Sequence, residues 1–340
     1  SRGCPFRCQF CLSSLDRGVR MVPKEAFFSA MEGLLERGAR DFKFIDRTFN
    51  LRIDDSAAIL RFFLERLRPG LSLHFEMVPD RLPESLRSLL AAFPPQTVQL
   101  ELGLQSWSPE VGKLIERRQD PEKTEANLRF LADETHVHVH SDLIVGLPGE
   151  DLPTFAAGFD RLVALRPQEI QVGILKRLRG TPIAMHDVSH AMRYSPRPPY
   201  EVISTSTMTE GEIDAMKRFA RFWDLIANSG NFRDSAQRIL SISPSAFTSF
   251  YDFSEALYES LERTHHLPLN ILAVAIFDYL IAATAMASEE AALLVASDLH
   301  RTYGRKTPKA LKPHLPRGWR PPAVERVTGG LVRQARHAAR

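Results

Sequence analysis

The chain has 340 residues, a formal net charge of +3, 44% hydrophobic and 25% charged residues. This is the balance of a globular protein with material for a sizeable core and for two domains, and the net charge alone implies no anionic partner. Three cysteines, all within Cys4–Cys11, exclude a disulfide framework and point to a reducing, cytoplasmic compartment. The most apolar run, Leu267–Met286, contains Asn270 and Asp278 and reads as a buried helix rather than a membrane span. No secretory leader is visible.

Taken in order, residues 1–185 alternate between strand and helix patterns. Apolar residues at helical spacing (Phe27, Met31, Leu34 and Leu35) predict a helix over Lys24–Arg37, and DFKFID predicts a strand over Asp41–Asp46. A helix over Asp54–Leu67 and a strand over Leu71–Met77 follow. Next come a helix over Pro83–Phe93, which has Pro at its tolerated first position, and a strand over Thr97–Leu104. A helix over Pro121–Glu134, a strand over Val137–Val145, a helix over Leu152–Leu165 and a strand over Glu169–Leu175 complete the series. Repeated β–α order implies parallel strands joined by helical crossovers, in a doubly wound sheet or a barrel. In a barrel the chemistry gathers where strands end; here those positions hold Asp46, Glu76, Gln105 and Gly146.

Beyond residue 190 the pattern becomes helical. Pro196, Pro198 and Pro199 read as a linker. Thr209 and Glu212 form a capping box that opens a helix with the stripe Ile213, Met216, Phe219, Trp223 and Ile226. Further helices are predicted over Ser245–Arg263, Pro268–Met286 and Glu289–Tyr303, with no comparable strand signal. From Arg301 to Arg340 eleven Lys or Arg face one acid, Glu325, which reads as a solvated basic tail with nucleic-acid contact as the weaker alternative. The expected division is 1–185, 186–300 and a tail over 301–340.

The chemistry sits at the start. Cys4-Pro-Phe-Arg-Cys8-Gln-Phe-Cys11 has C-x3-C-x2-C spacing. Thiolates are soft ligands for iron or zinc, and structural zinc and ferredoxin sites use four protein ligands. Three thiolates on a four-iron cube leave one iron open for a substrate or cofactor. A zinc site completed by a histidine is the alternative. His136, His138 and His140 alternate along one strand face and read as strand residues rather than a metal site.

This motif, with Phe10 before its last cysteine, resembles that of the radical S-adenosylmethionine (SAM) superfamily. The resemblance implies a partial (β/α)6 TIM-like barrel followed by a mainly helical domain, and a 4Fe-4S cluster held by Cys4, Cys8 and Cys11. It further implies that the cluster cleaves SAM reductively to a 5′-deoxyadenosyl radical, which abstracts hydrogen from a substrate. Flavodoxin or ferredoxin is the implied electron donor. Asp46 in FIDRTF stands where many members place the acid that contacts the SAM ammonium. Gln105 and Ser106 match the ribose segment. Arg118, rather than the adjacent Arg117, matches the carboxylate position. Asp142, Ile144 and Gly146 in SDLIVGLPGE match the strand that backs the adenine. Phe75–Leu82 narrows the resemblance to members with cobalamin-binding domains, with Glu76 and Asp80 as substrate contacts, and the helical remainder resembles the C-terminal domain of one uncharacterised subgroup. It also implies a first barrel strand largely missing before Cys4, with an unpaired edge at Asp41–Asp46. A cobalamin domain upstream of Ser1 would allow methyl transfer. The reading from a different class is a nucleic-acid-binding module with a structural metal.

Overall fold

The computed structural model describes residues 1–301, 305–321 and 337; most of the basic tail lies outside the described residues, as does the end of the helix expected to reach Tyr303. The chain separates into two compact units, one over Ser1–Ile213 and the other beginning at Asp214.

In the first unit α1 (Lys24–Glu36), β1 (Asp41–Lys43), α2 (Ile53–Leu64), β2 (Ser72–Met77), α3 (Glu84–Ala91) and β3 (Val98–Gln105) follow one another. Next come α4 (Pro109–Leu114), α5 (Pro121–Glu134), β4 (His138–Val145), α6 (Leu152–Ala164) and β5 (Glu169–Ile174). The five strands form one parallel sheet in the order β1-β2-β3-β4-β5. Glu76 lies beside Glu101, Glu101 beside His140 and His140 beside Glu169. Among the described residues β1 has β2 as its sole neighbour, so the expected open edge is present. It is shorter than expected: the last ladder bond runs from Phe44 N–H to His74 O at 2.9 Å, after which the chain turns away.

Alternation sorts the two faces. Leu73 and Phe75, Leu100 and Leu102, Val139 and Leu143 are buried on one face. Against β1, Phe42 and Phe44 meet Phe63 of α2 at 5.1 and 6.1 Å between ring centroids. The other face is polar: His74 meets Glu101 at 3.2 Å, the buried His138 meets the buried Glu169 at 3.0 Å and His140 meets Asp142 at 3.5 Å. Two of the three alternating histidines thus pair with carboxylates.

Two expectations are corrected. The Pro196–Pro199 segment is not an interdomain linker but the connection of an antiparallel pair, β6 (Arg193–Tyr194) and β7 (Val202–Ser204). This is strand structure after residue 190, where none was expected; the strands are too short for alternation to show. The unforeseen α4 begins at Ser108, whose Oγ accepts from Val111 N–H, with Pro109 in its first turn.

The helix α7 (Glu210–Trp223) opens on the expected capping box: Thr209 N–H donates to Glu212 Oε2 at 2.7 Å, and Glu212 N–H to Thr209 Oγ1 at 3.3 Å. The second unit contains α8 (Arg233–Leu240), α9 (Ala246–Leu261), α10 (Leu269–Ala283) and α11 (Ser288–His300). Its core joins Phe250, Phe253, Leu272, Ile276 and Val295. Asp298 of α11 is fully buried and accepts the Asp234 and Ser235 amides at 3.1 and 2.7 Å, supplying from a distant helix the cap that α8 lacks. No helix among the described residues is long and apolar enough to cross a membrane.

Candidate functional site

The cysteine loop is tied down at each end of its motif. Gly3 has φ +88°, and a Cβ there would collide with the Gly18 carbonyl, so only glycine lets the chain pass this close before Cys4. Cys4 N–H donates to Asp16 O at 3.0 Å. A turn closes between Cys8 and Cys11, with Cys11 N–H on Cys8 O at 3.1 Å. Ser14 Oγ then donates to Cys11 O at 2.7 Å.

All three cysteines and Phe10 line a single cavity at the C-terminal ends of β2, β3 and β4, together with Thr48, Glu76, Glu101, Gln105, Arg117 and Asp142. Arg117 Nη1 donates to Cys8 Sγ at 3.4 Å. Its Nη2 donates to Gly103 O, which also accepts from Gln119 Nε2 at 2.9 Å. Burial pushes the Cys8 thiol up, and the Arg117 guanidinium opposes that by favouring the thiolate. Asp142 is held well above the usual carboxylate range by burial and by the Glu101 and Glu76 charges, against the pull of Arg117. Glu101 is lowered, first by its hydrogen bond with His74. Two carboxyl groups in one cavity are thus pushed in opposite directions.

The residues fit a polynuclear cluster better than a single ion. Among the described residues no three His, Cys, Asp or Glu converge closely enough to hold one metal ion, as a zinc site requires. Yet the three thiols share one cavity, as ligands to different irons of a cube would.

The structure divides the sequence-expected residues into groups. Cys4, Cys8, Cys11, Phe10, Gln105, Asp142 and Glu76 come together. Asp46 lines the adjacent cavity beside Thr48 and bonds the Ser1 ammonium and hydroxyl; Thr48 lines both cavities, with Oγ1 4.0 Å from Cys4 Sγ. Ser106 and Arg118 line a third cavity. Ser106 Oγ is engaged by Glu150 Oε1 and by Ser108 N–H. Ile144 lies near the end of β4, and Gly146 follows it with φ +81°; a Cβ on Gly146 would meet Val202 Cγ1 at 2.6 Å. Asp80 accepts the Asp120 amide at 3.1 Å and does not line the cysteine cavity. Glu101 and Arg47 line it without having been singled out by sequence. Alternation with Gly103 and Gln105 was a signal for Glu101; none marked Arg47, which reaches Glu76 at 3.2 Å.

Residues 1–161 match the model of the Radical SAM superfamily: the chain carries a radical SAM domain, a class whose members use a 4Fe-4S cluster and SAM. Residues 188–292 match a family described as a protein of unknown function (DUF4080). Among curated proteins, the ribosomal protein uS12 methylthiotransferase RimO of Pelobacter propionicus is 28% identical over 190 residues, 54% of this chain and 42% of that one. A tRNA-2-methylthio-N(6)-dimethylallyladenosine synthase of Cereibacter sphaeroides is 29% identical over 173 residues, 48% of this chain and 38% of its own. The chain thus spans about two-fifths of the length of these relatives. Among solved structures, the radical SAM methyltransferase TsrM of Kitasatospora setae, with tryptophan substrate and a SAM analogue bound, superposes with a TM-score of 0.50 at 22% identity, covering 58% of this chain and 40% of that one. That likeness establishes a shared fold.

Proposed function

We propose that this chain is the catalytic core of a radical SAM enzyme in which Cys4, Cys8 and Cys11 hold the 4Fe-4S cluster. The observation that carries the reading is the convergence of all three thiols on one cavity at the sheet's C-terminal edge, with Arg117 donating to Cys8. When bound, the cluster supplies the electron that cleaves SAM.

The chain's own residues orient and select. Phe10 walls the cavity beside the thiols. Arg117, which lines the cysteine cavity and donates to Cys8, takes the SAM carboxylate, a charge-assisted contact; Arg118, the match favoured by sequence, is exposed and does not line that cavity. Asp46 takes the amino group, a reading supported by its place in the adjacent cavity beside Thr48, which also lines the cysteine cavity. Gln105 contacts the ribose, and Ile144 with Gly146 backs the adenine. Glu76, fixed by Arg47, and Asp142 face the substrate. A flavodoxin or ferredoxin is the fitting reductant.

Methyl or methylthio transfer is the finer reading. Its support lies in the relatives, one named a methylthiotransferase and one solved as a methyltransferase. Cobalamin, bound by a domain of the parent protein upstream of Ser1, is the methyl carrier in this reading, and anaerobic titration of the parent protein with hydroxocobalamin tests it.

Anaerobic reconstitution followed by metal analysis tests the core reading. About four iron and four sulfide per chain are expected, against a single zinc for a structural metal site in a nucleic-acid-binding module. Loss of the chromophore in each of Cys4→Ala, Cys8→Ala and Cys11→Ala is the expected companion result. A full cluster in Cys8→Ala would sink the ligand assignment.

A further inference from the structure

The single 3-10 turn Leu12–Leu15 follows Cys11 directly and has two dissimilar sides. Ser13 and Ser14 line the cysteine cavity. Leu12 and Leu15, which eclipse each other at three residues per turn, are 49% and 53% exposed. Cys11 is half-buried, whereas Cys4 and Cys8 are buried. One turn of chain thus stands between the thiols and an apolar outer face.

A second segment runs beside this turn. Leu15 Cδ1 lies 3.4 Å from where a Cβ on Gly180 would stand, and Ile183 N–H donates to Gln9 O at 3.0 Å. The two segments are rich in cations. Arg2, Arg7, Arg17, Lys176 and Arg179 are exposed, and none forms an ion pair among the described residues. The acids beside them are already engaged, Asp16 by Arg20 and Asp187 by Arg177. Solvated cations of this kind hold no small ion tightly, but their summed field steers a large acidic partner. The apolar centre is small, which suits a transient redox encounter that buries less than about 1,200 Å².

We propose that Leu12 and Leu15, with the unpaired cations of these two segments, form the docking surface for a small acidic electron-carrier protein. The inference rests on the cluster reading above and deepens it. The electron for a cluster held by Cys4, Cys8 and Cys11 comes from outside the chain, and at this face only one turn of backbone separates the carrier from the cysteine cavity. One electron leaves the carrier and enters the cluster; no bond forms or breaks at the docking face.

The test is anaerobic titration of the reconstituted chain with an acidic flavodoxin, read by calorimetry for binding and by stopped-flow absorbance for reduction of the cluster. Both should weaken as salt rises, because the cations are exposed and screened by ions. Arg17→Glu combined with Arg179→Glu should lower affinity and rate about ten-fold or more. Leu12→Ser combined with Leu15→Ser should lower both several-fold. Reduction by dithionite, which needs no docking, should be nearly unchanged in every variant. Indifference to salt or to these substitutions, or an equal slowing with dithionite, would overturn the proposal. So would sedimentation showing that the two leucines hold two copies of the chain together, which would assign the face to self-association. Iron and sulfide measured on the same samples separate the two readings. Without a cluster both fail; with about four iron per chain, an indifferent flavodoxin overturns the docking surface alone.

Discussion

His186 Nε2 donates to Gln9 Oε1 across 177 residues of sequence. The direction follows from the other end of the amide, where Gln9 Nε2 donates to Glu116 Oε1 at 3.4 Å, leaving the oxygen to accept. Gln9 sits between Cys8 and Cys11. Its backbone is held as well: its N–H donates to Ile115 O, and its carbonyl accepts from Ile183 N–H, both at 3.0 Å. The loop bearing the last two cysteines is thus clamped between the end of α4 and the segment Pro182–His186. Gln9→Ala and His186→Ala should release iron to a chelator several-fold faster than the parent, with altered EPR features of the reduced cluster. His186→Gln, which restores a donor, should recover most of the difference. Identical release rates in all four proteins would show the clamp to be irrelevant to the loop.

The two adjacent arginines should separate in a SAM-binding titration. Arg117→Gln removes the cation that donates to Cys8 and should weaken SAM about ten-fold or more, roughly 1.4 kcal/mol. Arg118→Gln should leave SAM within about two-fold. The reverse order would return the carboxylate contact to the residue favoured by sequence.

Glu150 predicts a pH dependence. It is buried against Ser106, and burial pushes its carboxyl up to about 8. The folded form therefore holds a proton that the unfolded chain, with an ordinary carboxyl, has released. The associated stability is fully present below the unfolded pKa and drains away as pH rises towards about 8, at about 1.4 kcal/mol per pH unit. Glu150→Gln mimics the protonated side chain. Denaturant titrations should find this variant close to the parent near about pH 5 and clearly more stable near about pH 8. A constant difference between the two proteins across that range would refute the assignment.

In the second unit, Asp298 receives two amides of α8 and the Arg301 guanidinium, the latter at 2.9 Å. Asp298→Ala strands those donors in a buried setting and should lower stability by about 3–5 kcal/mol. Asp298→Asn, which keeps an acceptor, should cost less. Urea unfolding followed by tryptophan emission measures both.

Much of the first unit was legible because its strands alternate and its helices carry stripes; Phe75 and Glu76 disclose their opposite faces from sequence alone. The cysteines were legible because spacing is chemistry. The divergence of Arg117 from Arg118 was not, since it depends on the left-handed turn at Glu116, φ +52°, which follows α4 and lets Arg117, but not Arg118, reach the cysteine cavity. Nor was the engagement of Ser106, whose partner Glu150 lies 44 residues away. The hairpin of β6 and β7 escaped because its strands are two and three residues long, below the length at which a period can be read.

Gln105 carries a different kind of information. It is buried in the cysteine cavity at φ +73°, where the register between β3 and β4 slips after Gly103. Left-handed backbone at such a residue costs about 1–2 kcal/mol. Glycine would relieve the tension at once, so a more robust chain lies one substitution away. That substitution would empty the cavity of its amide. Selection for thermal endurance alone should therefore drift toward glycine at position 105, and selection for turnover should hold the amide in place, making this single backbone angle a gauge of which pressure has acted.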